Sequence, residues 1–193
     1  MSKKKKLVLA IALAVCLLAA VGGTLAWFSA QYRTTNVITT GAVNIHILET
    51  QAESGKEVPY VDPVRGVMPG TRVSKIVRVV NEDSAAWVRV RTEIRITDAD
   101  GEALPTTLAD GTAAVSYAIG DGWLSGDDGY AYYSTPVDAQ SDTTPLFEEV
   151  AFSEKMGNEY QGCTVTLVLY ADAVQAKNNG TDALSVQGWP ENP

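Results

Sequence analysis

The sequence predicts an all-β protein, an antiparallel jelly-roll-like β-sandwich preceded by an N-terminal signal helix, and three features predict it. Apolar residues recur with period two through most of the chain after residue 42. Clusters of Gly, Pro, Asp, Asn and Ser interrupt these runs at strand-length intervals. Nothing after residue 30 carries the sustained helical period that the crossovers of a parallel sheet require.

The first segment, residues 1–27, reads as a cleavable export signal. Lys3 to Lys6 form its basic head, Leu7 to Val21 an uncharged apolar run of 15 residues, and Gly22, Gly23, Thr24 and Ala26 a small-residue cleavage zone. The expected cut falls between about residues 26 and 30, with Thr24, Ala26, Trp27 and Phe28 at the signal-peptidase junction. A membrane span needs about 20 apolar residues. Contact with a membrane is therefore expected only through the uncleaved signal. Val15 before Cys16 is too large for a lipidation box, and Cys16 leaves with the signal.

Removing Lys3 to Lys6 leaves 11 basic residues against 23 acidic ones, a net charge of −12. An acidic exported domain disfavours nucleic acid and anionic lipid as partners. Cys163 remains as the single thiol of the mature chain, alternating with Val165, Leu167 and Leu169, and reads as a buried small hydrophobe.

Residues 28–41 form a polar arm without acids, and residues 42–177 the sandwich. Within the sandwich, strands are expected at Val43 to Leu48, Val73 to Val80, Trp87 to Ile96, Val115 to Ile119, Tyr130 to Tyr133, Leu146 to Phe152 and Cys163 to Ala171. In Trp87 to Ile96 the residues Val88, Val90, Thr92, Ile94 and Ile96 share one face, and Arg89, Arg91, Glu93 and Arg95 the other. Turns are expected at Met68-Pro69-Gly70, Asp100-Gly101, Ser125 to Gly129 and Ser141 to Pro145. Residues 178–193 read as a polar, loosely held C-terminal tail.

Catalytic constellations are poorly supplied. His46 is the only histidine and alternates with Ile45 and Ile47, so neither a zinc site with several imidazoles nor a Ser-His-Asp triad is predicted. Asp127-Asp128 and Glu148-Glu149 are adjacent acids, which reads as solvated surface and not as a pair across a cleft. Asp98, Asp100 and Glu102 around Gly101 depart from a calcium-loop spacing, and a hairpin turn accounts for them. No catalytic residue, metal or cofactor is predicted.

The junction Gly22-Gly23-Thr24-Leu25-Ala26-Trp27-Phe28-Ser29, followed by Asn36, Thr40-Gly41 and the strand from Val43, resembles the TasA/camelysin family of exported Gram-positive matrix proteins. Pro69-Gly70 before a strand, Asn81 closing it, Val88-Arg89, Gly162 and Ala173-Val174-Gln175-Ala176 extend the resemblance downstream. It implies a secreted subunit, processed by a dedicated signal peptidase, that self-associates into biofilm-matrix filaments by donating an N-terminal strand to the next subunit. The residues of the arm suit that role. Phe28, Tyr32, Asn36, Val37 and Ile38 lie in an acid-free segment able to add to an open sheet edge through backbone hydrogen bonds, the alternative being a disordered leader or an arm that pairs within its own domain.

Two alternatives accompany this expectation. Camelysin-like proteins have been described as metallopeptidases, for which this chain has a single histidine to offer. A surface adhesin or minor anchoring subunit would present Trp123, Tyr130, Tyr132 and Tyr133 to a host or matrix ligand. No Leu-Pro-x-Thr-Gly signal or second apolar span follows residue 41, so any retention at the cell surface would come from assembly or from a matrix or anchoring partner, and free release is equally consistent.

Overall fold

Twelve residues of continuous pairing form the centre of the molecule. In the computed structural model, which describes residues 28–35, 43–61 and 64–190, strand β6 (Ala86–Thr97) and strand β13 (Thr164–Gln175) lie antiparallel, from Ala86↔Gln175 to Thr97↔Thr164. Both strands carry the predicted alternation. Val88, Val90 and Ile96 from β6 meet Val165, Leu167, Leu169, Ala171 and Ala173 from β13 in one buried cluster.

The remaining strands, in chain order, are β1 (Phe28–Thr35), β2 (Ile45–Glu53), β3 (Lys56–Pro59), β4 (Val64–Val67), β5 (Arg72–Asn81), β7 (Ala103–Leu104), β8 (Val115–Ser116), β9 (Trp123–Ser125), β10 (Tyr130–Tyr133), β11 (Ser141–Asp142) and β12 (Phe147–Phe152). Single 3-10 turns lie at Asn158–Tyr160 and Ala183–Ser185. Sheet A runs β4-β1-β13-β6-β10-β9, with β7 also on β6, and sheet B runs β3-β2-β5-β12-β8, with β11 also on β5.

The two sheets bury Ile45, Ile47, Val77, Val79, Phe147 and Val150 of sheet B against the inner faces of β6 and β13. The protein is an all-β sandwich. Each buried Val, Leu, Ile or Phe side chain contributes about 1.5–3 kcal/mol of transfer free energy, so this shared core holds the sheets together. The expected strand at Val115 to Ile119 is shorter, because pairing with β12 stops at Ser116.

One pairing departs from the antiparallel expectation. β1 lies parallel to β13, from Ser29↔Thr164 to Thr35↔Tyr170. Antiparallel neighbours follow from short hairpin connections. Strands joined by most of the chain have no such constraint, and among the described residues β1 is the first strand while β13 is the last.

The expectation of a loosely held C-terminal end is overturned as far as Pro190. Ala183 and Val186 are buried, and Trp189 packs with them against the outer face of sheet A. Their apolar side chains complete a second small cluster with Trp87, Tyr130, Tyr132 and Val174, residues whose strand parity is opposite to that of the main core. The signal segment, the junction residues Thr24, Ala26 and Trp27, and the arm residues Asn36, Val37 and Ile38 lie outside the described residues.

Candidate assembly interface

Of the predicted arm, Phe28 and Tyr32 fall within β1, where the backbone register sets Phe28 opposite Val67 and Tyr32 opposite Leu167. β1 is inserted between two strands. Its first residues pair with β4 (Phe28↔Val67, Ser29↔Arg65, Ala30↔Val64) across a bulge, while seven residues pair with β13. The register places Ala30, Tyr32 and Thr34 beside Val165, Leu167 and Leu169, the residues through which β13 enters the core.

Without β1, the edge of β13 from Thr164 to Tyr170 would present a row of unpaired backbone donors and acceptors. The opposite edge of β13 is saturated by β6 along its whole length. β13 is thus paired on one flank by β6 along its whole length and on the other by β1 over seven residues.

Two charged residues lie inside the fold. Lys75, in the middle of β5, is 0% exposed; its Nζ lies 2.9 Å from Glu49 Oε1 and 3.8 Å from the ring centroid of Tyr60. It shares its strand parity with Val77 and Val79, so the ion pair is built into the inner face of sheet B. The parity itself carried the signal, since Val73, Lys75, Val77 and Val79 alternate without a break.

Arg89 is 7% exposed. Its Nε and Nη2 each lie 2.9 Å from Asp172 Oδ2, and its guanidinium lies 3.9 Å from the Tyr130 ring centroid and 4.8 Å from that of Trp189. Asp128 accepts a hydrogen bond from the Tyr132 hydroxyl at 2.6 Å and stands 3.9 Å from Arg89 Nη1. Burial opposes the Asp128 charge, but the bonds from the Tyr132 hydroxyl and the Tyr130 N–H, with Arg89 nearby, hold its carboxyl below the usual range.

The candidate chemical groups are engaged elsewhere. His46 Nδ1 faces Glu82 at 3.2 Å on a half-exposed strand surface. Cys163 is fully buried, and burial pushes its thiol up to about 11, which leaves no thiolate at neutral pH. Asp98 Oδ1 accepts from the N–H groups of Asp100 and Glu102, the bonding of a tight hairpin turn. Among the described residues no three His, Cys, Asp or Glu side chains converge as metal ligands.

A groove of about 690 Å³ opens where β8 stops short of β12, lined by Tyr117, Phe147, Arg72, Glu148 and Glu149. It holds no histidine or cysteine, and Arg72 Nη1 meets Glu149 Oε2 at 3.3 Å. The aromatic residues that an adhesin would display are structural. Trp123, Tyr130 and Tyr132 are buried, Trp123 Nε1 donates to the Thr144 carbonyl at 3.0 Å, and its ring packs edge-on against Tyr133.

The geometry defines a class, an all-β sandwich whose N-terminal strand is a full member of one sheet. Compared with protein-family models, curated proteins and solved structures, the chain matches none.

Proposed function

We propose that this chain is a secreted structural subunit of the TasA/camelysin type, which assembles into extracellular matrix filaments by exchanging its N-terminal strand between copies. The observation that carries the reading is the position of β1. The strand begins at the expected processing zone, occupies an interior place in sheet A, and pairs parallel to β13 with no hairpin to bind it to its own domain. A second copy's Phe28–Thr35 offers the same backbone donors and acceptors to the same flank. Because the donating and receiving surfaces differ, the contact is head-to-tail and does not close, which yields filaments.

Signal peptidase is the partner during export, and a matrix or anchoring protein is the partner that would retain the fibre at the cell surface. The metallopeptidase alternative draws no support from His46, whose ring faces Glu82. The adhesin alternative draws no support from Trp123, Tyr130 and Tyr132, whose side chains are buried.

The test compares a chain starting at Phe28 with one starting at Ala42, by light scattering and negative-stain microscopy across pH and salt. Filaments from the longer chain and none from the shorter support strand donation. Monomers from both under every condition contradict it.

A further inference from the structure

The C-terminal segment is bound to sheet A in the manner of a peptide ligand. Its apolar anchors Ala183, Val186 and Trp189 recur every third residue, unlike the period of two in the strands beneath them. The segment is closed on itself: Asn179 Nδ2 donates to the Gln187 carbonyl at 3.0 Å, Asn179 Oδ1 accepts from the Gln187 N–H at 3.3 Å, and Asp182 caps the 3-10 turn by accepting from the Leu184 N–H. A ligand already folded into its bound shape loses little freedom on docking.

Its grip on the sheet is made by side chains. Arg89 Nη2 donates to the Pro190 carbonyl at 3.2 Å, the Arg89 guanidinium lies between the rings of Trp189 and Tyr130, and Tyr132 meets Trp189 edge-on at 5.8 Å. The fit is incomplete at one place. The buried indole N–H of Trp87, in the cluster the segment covers, has no hydrogen-bond partner among the described residues, a penalty that release of the segment removes. Residues 177–182 join the segment to β13 mainly through exposed positions and a turn with positive φ at Asn178 and Gly180.

From this geometry we infer that the outer face of sheet A, centred on Arg89, Tyr130 and Tyr132, is a peptide-binding site that its own residues 183–190 fill in cis and that accepts the same segment from a second copy of this chain. The occupant is specified by the contacts: two small apolar anchors, then an indole and a following carbonyl for Arg89. A tail tethered to its own domain competes at high effective concentration, so the cis form dominates until cis docking is weakened. The inference does not depend on strand donation by β1, and it links copies through a different surface.

Complementation tests it. Full-length Trp189→Ala keeps the site with a crippled tail, and full-length Arg89→Met keeps the tail with a crippled site. Mixed with β1 locked to β13 by a Gln31→Cys–Thr166→Cys disulfide, so that strand exchange cannot mask the readout, they are expected to form a 1:1 complex by light scattering, while each alone stays at its starting size. Failure to associate, with near-ultraviolet circular dichroism intact in both, overturns the inference.

A second arm does not depend on either variant folding. A protease site placed at Gly180 in the otherwise natural chain is cut after folding, and a fluorescent peptide of residues 177–190 is added. Replacement of the native fragment by the labelled peptide is the expected result, with capture roughly tenfold weaker for a peptide lacking the indole. A fragment that never exchanges, or an emptied site that does not take up the peptide, overturns the inference.

Discussion

Both terminal segments of the described chain are fastened to sheet A, and they are fastened by different forces. The N-terminal strand β1 is held by a backbone ladder along the flank of β13. The C-terminal segment lies across the outer face of the same sheet and is held by an arginine between two rings and a few apolar anchors. A ladder accepts any extended chain of suitable register, with side chains adding specificity. A side-chain socket accepts one pattern. The first attachment is therefore tolerant of sequence, and the second is selective.

The largest expected effect comes from removing the ladder. A chain lacking Phe28–Thr35 should lose filament growth, and its thermal midpoint should fall by more than about 10 °C, since each kcal/mol lost moves the midpoint of a domain this size by several degrees. Calorimetry on the monomeric forms checks this. An unchanged midpoint would mean that β1 contributes nothing to its own domain.

Next comes a change in the body that both segments share. Lys75→Ala should cost about 3–5 kcal/mol in urea unfolding, because it leaves Glu49 partly buried beside a lost cation. The double change Lys75→Met with Glu49→Leu should recover most of that loss. Both attachments should survive in the double variant, so a loss of only one would show that the ion pair serves that attachment in particular.

Smaller still is the effect of the tail. Trp189→Ala should cost roughly 1–2 kcal/mol, the worth of a partly buried ring with its cation–π contact, and should leave filament growth intact. If it abolished filaments, the two attachments would not be independent.

The smallest expected effect is on pH. Asp128 has a folded pKa below its unfolded value, so its contribution is fully present above about pH 3.9 and is lost as pH falls through the lower folded value. Against it stand the Tyr132 hydroxyl, the Tyr130 N–H and Arg89, and Arg89 in turn pairs with Asp172. Trp189 fluorescence should thus be flat from neutral pH to about 4 and change below it. A transition near pH 6–7 would point to a different group.

The strands with strong alternation were legible in the sequence because burial on one face writes itself at every second residue. β6, β10 and β12 fall within a residue of their expected bounds, and β13 extends four residues further. The short strands β3, β4, β7, β9 and β11 left no such record, since two to four residues cannot display a period. The surroundings of Lys75 and Arg89 were not legible for a common reason. Charge is read as exposure unless a partner is known, and Glu49, Asp172 and Trp189 are partners brought together by topology across long stretches of sequence. The parallel pairing of β1 was equally hidden, because strand direction without a short connection is decided only by the folded sheet.

The most direct test of strand exchange keeps the ladder between β1 and β13 in place and removes the freedom to swap. Gln31 and Thr166 are register partners between β1 and β13, and neighbouring strands lie within reach of a disulfide. A chain starting at Phe28, with Gln31→Cys, Thr166→Cys and Cys163→Ala, should remain monomeric when oxidised and grow filaments once reduced. Filaments of equal length in both states would contradict exchange of β1 as the mechanism of assembly.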